Sequence, residues 1–343
     1  MKRLFLILAV ACAHAAQSQQ MTVEQGATVH LSKGTQMVCS NVSVAVEGEL
    51  VCDSSTILGF GGKDAPRLSA AHPLALHTLR IDGEAAVDAA RLTVVGDVVM
   101  GGHGTARLSA ATAVRLHGNI LNEGEEGYVT GGRVEKMLPA LPASGRAATG
   151  MGVTLTVAAS CDSLLLTRTH EPWYYKGEYS VAKAYGFSRP TLLAGVDATY
   201  LQAQSPKATD TYLIYYKAPQ GLGLESVASE TNAAAKRVVS KSSEPFEADG
   251  LTVFPFPDLG FTKSITPNGD GINDCFEVRG IEKFPAARLA VLLPNGNVIY
   301  DASPYGNNFC GEGLSAGTYY YMFFTEKGDA RPVKKGFFEL VKE

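Results

Sequence analysis

Short apolar segments recur between Met21 and Lys136 and are separated by Gly, Asp or Asn. Val42–Val46, Leu92–Val95 and Val98–Met100 are examples. Apolar and polar residues alternate within such segments, which is the pattern of a strand that buries one face. The gaps between them are too short for helices. The pattern predicts stacked short strands, as in a small β-solenoid or an irregular sandwich, over residues 16–137.

Glycines follow several of these segments closely. Gly83, Gly96 and Gly118 each stand just after an apolar segment. This placement suggests that each glycine closes one rung of the stack and opens the next.

Composition supports an all-β fold and argues against a nucleic-acid-binding function. The chain has 343 residues, 36 of them Gly, and only 19% are charged. That length predicts two or three compact units. The formal net charge of −4 and pI near 6.0 argue against a nucleic-acid partner, because phosphate binding requires clustered Lys and Arg.

The N-terminus predicts export. Two basic residues precede the apolar stretch Leu4–Ala13, and Ala13 and Ala15 provide small residues for a cut before Ala16. Residues 1–15 therefore read as a secretory signal peptide. An alternative is a lipoprotein acylated at Cys12. The mature chain is predicted to contain no transmembrane helix, since no later segment is long and apolar enough.

The cysteines of the mature chain are predicted to lie in an oxidising compartment, where disulfides form. The local pairings are Cys39 with Cys52 and Cys275 with Cys310, which leaves Cys161 single. Sequence alone leaves the connectivity open.

A second region, residues 138–260, is predicted to be a β-sandwich domain with a polar linker. Val153–Val157, Leu164–Thr169 and Thr211–Tyr216 are rich in β-branched and aromatic residues. Residues 226–250 are polar and alanine-rich, which favours an exposed connection.

The third region, residues 261–343, contains at least five strand candidates separated by Pro, Gly and Asn turns. Such spacing predicts an immunoglobulin-like β-sandwich. Asn295-Gly296 between two apolar strands predicts a hairpin whose two central residues both have positive φ.

The third region also contains an ordered set of short motifs. A Thr-Pro-Asn-Gly-Asp-Gly-Ile-Asn-Asp run opens it, a Gly-Asn-Val-Ile-Tyr run follows, and a Gly-Thr-Tyr-Tyr-Tyr run comes late. The motif residues are Pro267, Asn268, Gly269, Asp270, Gly271, Asn273, Asp274, Phe276, Gly296, Gly317, Thr318 and Tyr319. In this order they resemble the type B C-terminal sorting domain of Bacteroidetes type IX secretion, also described as the gliding-motility-associated C-terminal domain.

This resemblance implies a protein that crosses the outer membrane through the type IX translocon. A shuttle protein and a sortase are the implied partners, with attachment to lipopolysaccharide or release. An exposed strand edge of the domain is a candidate docking site for the shuttle by strand addition.

Two departures from the family pattern are present. Leu293-Pro294-Asn295 stands where the family has Asn-Arg-Trp, and Phe309-Cys310 where it has Trp-Asp. A Cys275–Cys310 disulfide is a candidate replacement for the lost packing. The departures motivate an alternative function, a retained regulatory or signalling component of the secretion machinery in the periplasm or at the outer membrane.

The front regions resemble, more loosely, those that precede this domain in other Bacteroidetes surface proteins. The matching runs are Tyr128–Gly131 and Thr167–His170. They imply an architecture and no activity.

Two further sites can be read from the residues. Asn268, Asp270, Asn273 and Asp274 offer oxygen ligands for calcium, or they stabilise a turn. No other cofactor or metal is indicated. Trp173, Tyr174 and Tyr175 form an aromatic cluster that is either a ligand surface or packing.

No nucleophile–base arrangement is recognisable. Glu123, Glu125 and Glu126 lie in a Gly-rich stretch that predicts a solvated loop. The sequence thus predicts an exported, non-enzymatic protein of the cell surface or outer membrane with an adhesive, structural or accessory role. A glycan-binding module or hydrolase is the remaining alternative.

Overall fold

The computed structural model describes residues 19–175, 178–206, 212–219, 224–255, 259–325 and 332–342. The predicted signal peptide lies outside this part of the chain. Within it the fold is all-β, as predicted, and the helical structure is limited to 3-10 turns such as Gln202–Gln204 and Ile281–Lys283. No helix among these residues has the length and apolar character needed to cross a bilayer.

The first fifteen strands form a β-solenoid, which confirms that prediction. Their bounds are β1 Gln19–Val23, β2 Thr28–Leu31, β3 Gln36–Ser40, β4 Val42–Val46, β5 Glu49–Cys52, β6 Ile57–Gly61, β7 Arg67–Ala70, β8 Leu74–Leu76, β9 Thr78–Ile81, β10 Glu84–Ala89, β11 Arg91–Val94, β12 Val98–Met100, β13 Thr105–Leu116, β14 Ile120–Leu121 and β15 Val129–Leu138. Neighbouring rungs pair in parallel, for example β4 with β7 and β7 with β10.

The solenoid core consists of inward-facing aliphatic ladders. Val44 is in register with Leu68, and Leu68 with Val87. All three side chains are at most 1% exposed. The alternation seen in the sequence places these residues inside, so each rung buries the apolar face of its neighbours.

Glycines allow the corners of successive rungs to approach closely. The Gly118 N–H donates to the Gly96 carbonyl at 3.0 Å, and the Gly96 N–H donates to the His77 carbonyl at 2.7 Å. A Cβ on Gly118 would lie 2.2 Å from the Gly96 oxygen. Only glycine fits at that distance.

Strand β15 joins the solenoid to the central region. It pairs in parallel with β13 and antiparallel with β18. The central strands are β16 Arg146–Ala148, β17 Val153–Val157, β18 Leu164–Thr169, β19 Tyr174–Tyr175, β20 Glu178–Tyr179, β21 Ala184–Thr199, β22 Tyr212–Lys217, β23 Leu224–Val227, β24 Ser229–Asn232, β25 Arg237–Ser240 and β26 Phe246–Pro255.

The central region shares its sheet and its hydrophobic core with the solenoid. The boundary predicted between residues 137 and 138 falls at the end of β15. The expected exposed linker over residues 226–250 is wrong, because β23–β25 and the start of β26 occupy it. Val227 and Val238 are buried there, but most residues of the segment are polar or alanine, so its few apolar side chains are too sparse to predict strands.

The C-terminal domain forms separate sheets around a core of its own, which Leu213 of the central region also joins. Its strands are β27 Gly260–Phe261, β28 Ser264–Ile265, β29 Val278–Arg279, β30 Arg288–Leu292, β31 Val298–Ala302, β32 Gly317–Phe324 and β33 Lys334–Leu340. The order in its five-stranded sheet is β28-β33-β32-β30-β31.

Candidate functional site: the C-terminal domain

The loop that carries the opening motif, residues 266–274, is folded by its own polar side chains. The Asp274 carboxylate accepts backbone N–H donors from Asn268 at 3.1 Å and from Gly269 and Gly271 at 2.8 Å each. Backbone N–H groups of Gly269 and Gly271 thereby hold the pKa of Asp274 below its usual value. This carboxylate organises the loop.

The spacing of Gly and Asn in the motif follows from the backbone. Gly269, Gly271 and Asn273 have φ of +82°, +83° and +54°. Left-handed conformations of this kind favour Gly and, next, Asn. The motif therefore encodes a turn of fixed shape.

The same contacts bear on the calcium hypothesis. The Asn268 side chain accepts from the Asp270 N–H at 3.1 Å and donates to the Asp270 carboxylate at 3.2 Å. The Asn273 carbonyl accepts from the Thr266 N–H. The geometry favours the turn.

Phe276 anchors the end of the motif in the domain core. Its side chain is fully buried, with ring centroids 4.8 Å from Phe338 and 5.0 Å from Tyr321. Its N–H donates to the Phe309 carbonyl at 2.7 Å. A disulfide joins Cys275 and Cys310, the residues next to this pair, across a sequence separation of 35. The loop is thus fastened by packing and by a covalent bond.

The later motif residues support the sheet. Tyr319 on β32 is buried, stacks on Phe338 at 5.8 Å and donates its hydroxyl to the Ser315 carbonyl at 2.8 Å. Gly317 and Thr318 are exposed at the start of β32, and Pro267 is half-buried.

The hairpin at Gly296 differs in detail from the prediction. Gly296 has φ of +88°, whereas Asn295 has no positive φ. The Gly296 N–H donates to the Leu293 carbonyl at 2.9 Å, and the Leu293 N–H donates to the Asn297 carbonyl at 2.9 Å. Pro294 extends the connection by one residue, so a longer turn that needs one left-handed residue replaces the two-residue turn.

A row of apolar side chains crosses the outer face of the domain. Phe337 on β33 is in register with Tyr320 on β32, Tyr320 with Leu292 on β30, and Leu292 with Val298 on β31. Phe337, Val298 and Tyr320 are 61%, 53% and 45% exposed, and Leu292 is half-buried. We call these four side chains the outer row. A contiguous exposed patch of this kind is typical of an interaction surface.

The outer row ends at an edge strand. Among the described residues β31 pairs with β30 alone, so its other edge presents backbone donors and acceptors. The opposite edge strand, β28, contains only Ser264–Ile265. The edge at β31 is therefore the longer one available for strand addition.

The structure divides the aromatic cluster of the central region. Trp173 and Tyr175 are half-buried, and the Tyr175 ring lies 6.0 Å from Tyr215. Tyr174 and its hairpin partner Tyr179 are 63% and 50% exposed, with ring centroids 4.8 Å apart. Part of the cluster packs, and part faces solvent.

The expected Cys39–Cys52 disulfide is not formed. Cys39 and Cys52 are free thiols, as is Cys161. Cys39 lies on β3 in register with Phe60, whereas Cys52 lies on β5 in register with Leu31, in a different sheet of the solenoid. Burial raises the pKa of both Cys39 and Cys52.

A buried ionic cluster, which the sequence did not predict, lies at the junction of the solenoid and the central region. Glu123, expected in a solvated loop, is only 9% exposed and contacts Arg168 and Lys183, whose side chains are 0% and 2% exposed. Its carboxylate accepts from Arg168 Nη1 at 2.9 Å, from Lys183 Nζ at 3.2 Å and from the Val129 N–H at 3.1 Å.

The two runs singled out by the loose resemblance, Tyr128–Gly131 and Thr167–His170, meet at this cluster. His170 Nδ1 donates a hydrogen bond to the Gly131 carbonyl at 2.6 Å. Arg168 donates to the Glu123 carboxylate, which also accepts the Val129 N–H. These two runs mark the residues of the joint in the sequence. Their role becomes clear only when Glu123, which binds Arg168, is identified as their partner.

Burial and charge set the protonation of the cluster. Burial alone raises the pKa of Glu123, but the charges of Arg168 and Lys183 outweigh it and hold that pKa well below its usual value. Burial lowers the pKa of Lys183 to about 8 and, with the nearby Arg168 charge, that of His170 to about 3. The cluster is enclosed, so these shifts describe an internal joint.

Comparison with known proteins identifies the C-terminal domain. Residues 259–340 match the family model of the CHU_C type IX secretion signal domain. No curated protein and no solved structure matches the chain. The match confirms the resemblance in the motif residues: the protein carries a type IX secretion signal domain, which directs it out of the cytoplasm and implies handling by the type IX secretion machinery.

Proposed function

We propose that the protein is displayed at the cell surface or outer membrane, where residues 19–255 do structural or adhesive work without catalysis. The C-terminal domain delivers it there. The signal-domain match over residues 259–340 is the observation that carries this proposal. The shuttle and sortase of the same route are the partners, and lipopolysaccharide is the attachment point.

The outer row supports a specific mode of recognition. Three of its four side chains are about half exposed or more, although they sit at neighbouring register positions of one sheet. Aromatic side chains at such positions are frequent anchors of interfaces. The secretion machinery docks on this face, and a strand of the shuttle adds to the free edge of β31.

The form of the front region supports a non-enzymatic role. Its parallel rungs and the central strands share one core, and the described groups whose pKa values shift most strongly there are Glu123, His170, Tyr185 and Lys183. These groups are enclosed at a joint, whereas catalytic groups must reach a substrate.

Deletion of residues 259–343 tests the export step. The truncated protein should accumulate in the periplasm of cells that contain the type IX system, while the full chain leaves it. The deletion starts at Leu259 because β27 pairs with β29 and belongs to the domain. Unchanged export of the truncated chain would refute the proposal.

Point variants test the outer row. Tyr320→Ser with Phe337→Ser should reduce export at least tenfold, because both changes remove exposed aromatic surface without touching the core. Glu339→Ala, at an exposed position on the same strand as Phe337 and outside the motif residues, is the matched control. Normal export of the double variant would exclude this face.

Glycan binding is a second candidate function for the central region. The exposed pair Tyr174 and Tyr179 favours it, since exposed aromatic rings stack on sugars. A glycan array with the full chain and with Tyr174→Ala and Tyr179→Ala would decide the matter: binding must appear and must weaken in both variants. Fractionation with an antibody to residues 138–257 addresses the other alternative, since uncleaved periplasmic protein would favour a retained component of the machinery.

A further inference from the structure

Strand β22 is apolar on both of its faces. Tyr212 and Ile214 belong to the core that the solenoid and central region share. Leu213 lies between them and points away from that core, because side chains alternate along a strand. Leu213 is nevertheless only 1% exposed. A strand buried on both sides has cover on both sides.

The C-terminal domain provides the second cover. Leu213 belongs to the same buried cluster as Phe276 and Phe323 of that domain, and Tyr215 packs against the cluster. On β26, Phe254 is in register with Leu213, is 3% exposed and has its ring centroid 4.7 Å from that of Tyr215. We call Leu213, Tyr215 and Phe254 the docking patch.

Among the described residues, the contact at the docking patch involves no strand pairing. The strands of the C-terminal domain, β27–β33, and the strands of the central region belong to different sheets, and no described strand pairs across the boundary. Separating the two units would expose the docking patch but would break no sheet. Such a contact opens at a lower free energy than either unit unfolds.

We propose that the docking patch is a latch that holds the signal domain in one orientation against the central region until the secretion machinery separates them. This inference rests on the proposed export function, because it assigns the machinery a step before any cut between the two units. While the latch is closed, the signal domain is presented as a fixed part of the protein. Once it is open, the domain moves independently of the central region.

The full chain with Leu213→Ser tests the latch. Leu213 lies outside the shared core, so the variant should fold, as circular dichroism would verify. Leu192→Ser, at an exposed Leu on β21, is the matched control. Small-angle X-ray scattering should show a larger maximum dimension for Leu213→Ser alone. Limited proteolysis should separate its two units roughly tenfold faster than in the wild type.

The latch is refuted if Leu213→Ser scatters and is cleaved like the control. It is also refuted if both Leu213→Ser and the milder Leu213→Ala unfold the central region, since that result would place Leu213 in the shared core. Failure of the export proposal has a different readout, normal secretion of the chain that lacks residues 259–343. The two ideas can therefore fail independently.

Discussion

The solenoid and the C-terminal domain are both built from short strands, but they bury different side chains. The solenoid stacks aliphatic residues such as Leu68 and Val87 at equivalent positions of successive rungs. The C-terminal domain packs aromatic rings such as Phe276 and Phe338 and adds a disulfide. A stack grows by adding similar neighbours, so small uniform side chains suffice. A small unit that closes on itself needs large side chains and a cross-link.

The largest expected effect concerns the joint at the end of the solenoid. Glu123→Ala leaves Arg168 and Lys183 buried without their carboxylate partner, which should cost about 3–5 kcal/mol of unfolding free energy. Denaturant titration should show the loss in the transition of the solenoid and central region only. Glu126→Ala, at a side chain that is 69% exposed, should have little effect. A shift of the C-terminal transition would show that the two units are not independent.

The second-largest expected effect concerns the disulfide, which only the C-terminal domain is predicted to depend on. Cys275→Ser with Cys310→Ser opens a loop of 35 residues and should cost the C-terminal domain about 3–4 kcal/mol on the chain-entropy model. Reductant should lower the melting temperature of the wild-type domain and leave that of the double variant unchanged. A solenoid transition that also moved with reductant would contradict the free thiols of Cys39 and Cys52.

The two regions should respond to acid over different pH windows. The pKa of His170 falls from 6.5 to about 3 in the folded protein. Its stabilising contribution is therefore complete above pH 6.5 and is lost as the pH falls towards about 3, since only the unfolded state binds the proton. The solenoid and central region should lose about 2–4 kcal/mol in this window.

His170→Gln provides the control for the pH prediction. It should flatten the pH dependence of the solenoid transition, as followed by denaturant titration at a series of pH values. The C-terminal domain has the lowered pKa of Asp274, whose usual value is 3.8, and should hold its stability until the pH approaches that value. Equal acid sensitivity of both transitions would remove this contrast.

The smallest of the four effects tests the stacking of the rungs. Gly118→Ala places a Cβ 2.2 Å from the Gly96 carbonyl oxygen, so the corner must shift, at a cost of about 1–3 kcal/mol. Gly102→Ala meets no atom within 4 Å and should be close to neutral. Thermal unfolding of both variants makes the comparison, and equal melting temperatures would show that the corner tolerates a side chain.

The sequence predicted those features that depend on local pattern. Alternation in segments such as Val42–Val46 predicted the solenoid, and the motif from Thr266 to Asp274 predicted the signal domain. Each of these signals is contained within a few consecutive residues of the chain. The shape of the turn at Gly296 depends in addition on Pro294, which lengthens the connection by one residue.

Long-range contacts were not predictable in the same way. Glu123 looked like one of several loop carboxylates because its partners, Arg168 and Lys183, lie 45 and 60 residues away. The apolar character of both faces of β22 was visible in Tyr212–Tyr216. It pointed to a second buried face without identifying what covers it.

The change of pairing direction at β15 has a consequence for the length of the molecule. Because β15 pairs in parallel on one side and antiparallel on the other, it ends the stack of parallel rungs. The structure of the central region therefore does not depend on how many turns precede β15. A turn inserted upstream would extend the protein by about 4.8 Å, the distance between hydrogen-bonded strands, and leave the joint unchanged. The reach of this protein is therefore a quantity that evolution or an engineer can vary in fixed increments.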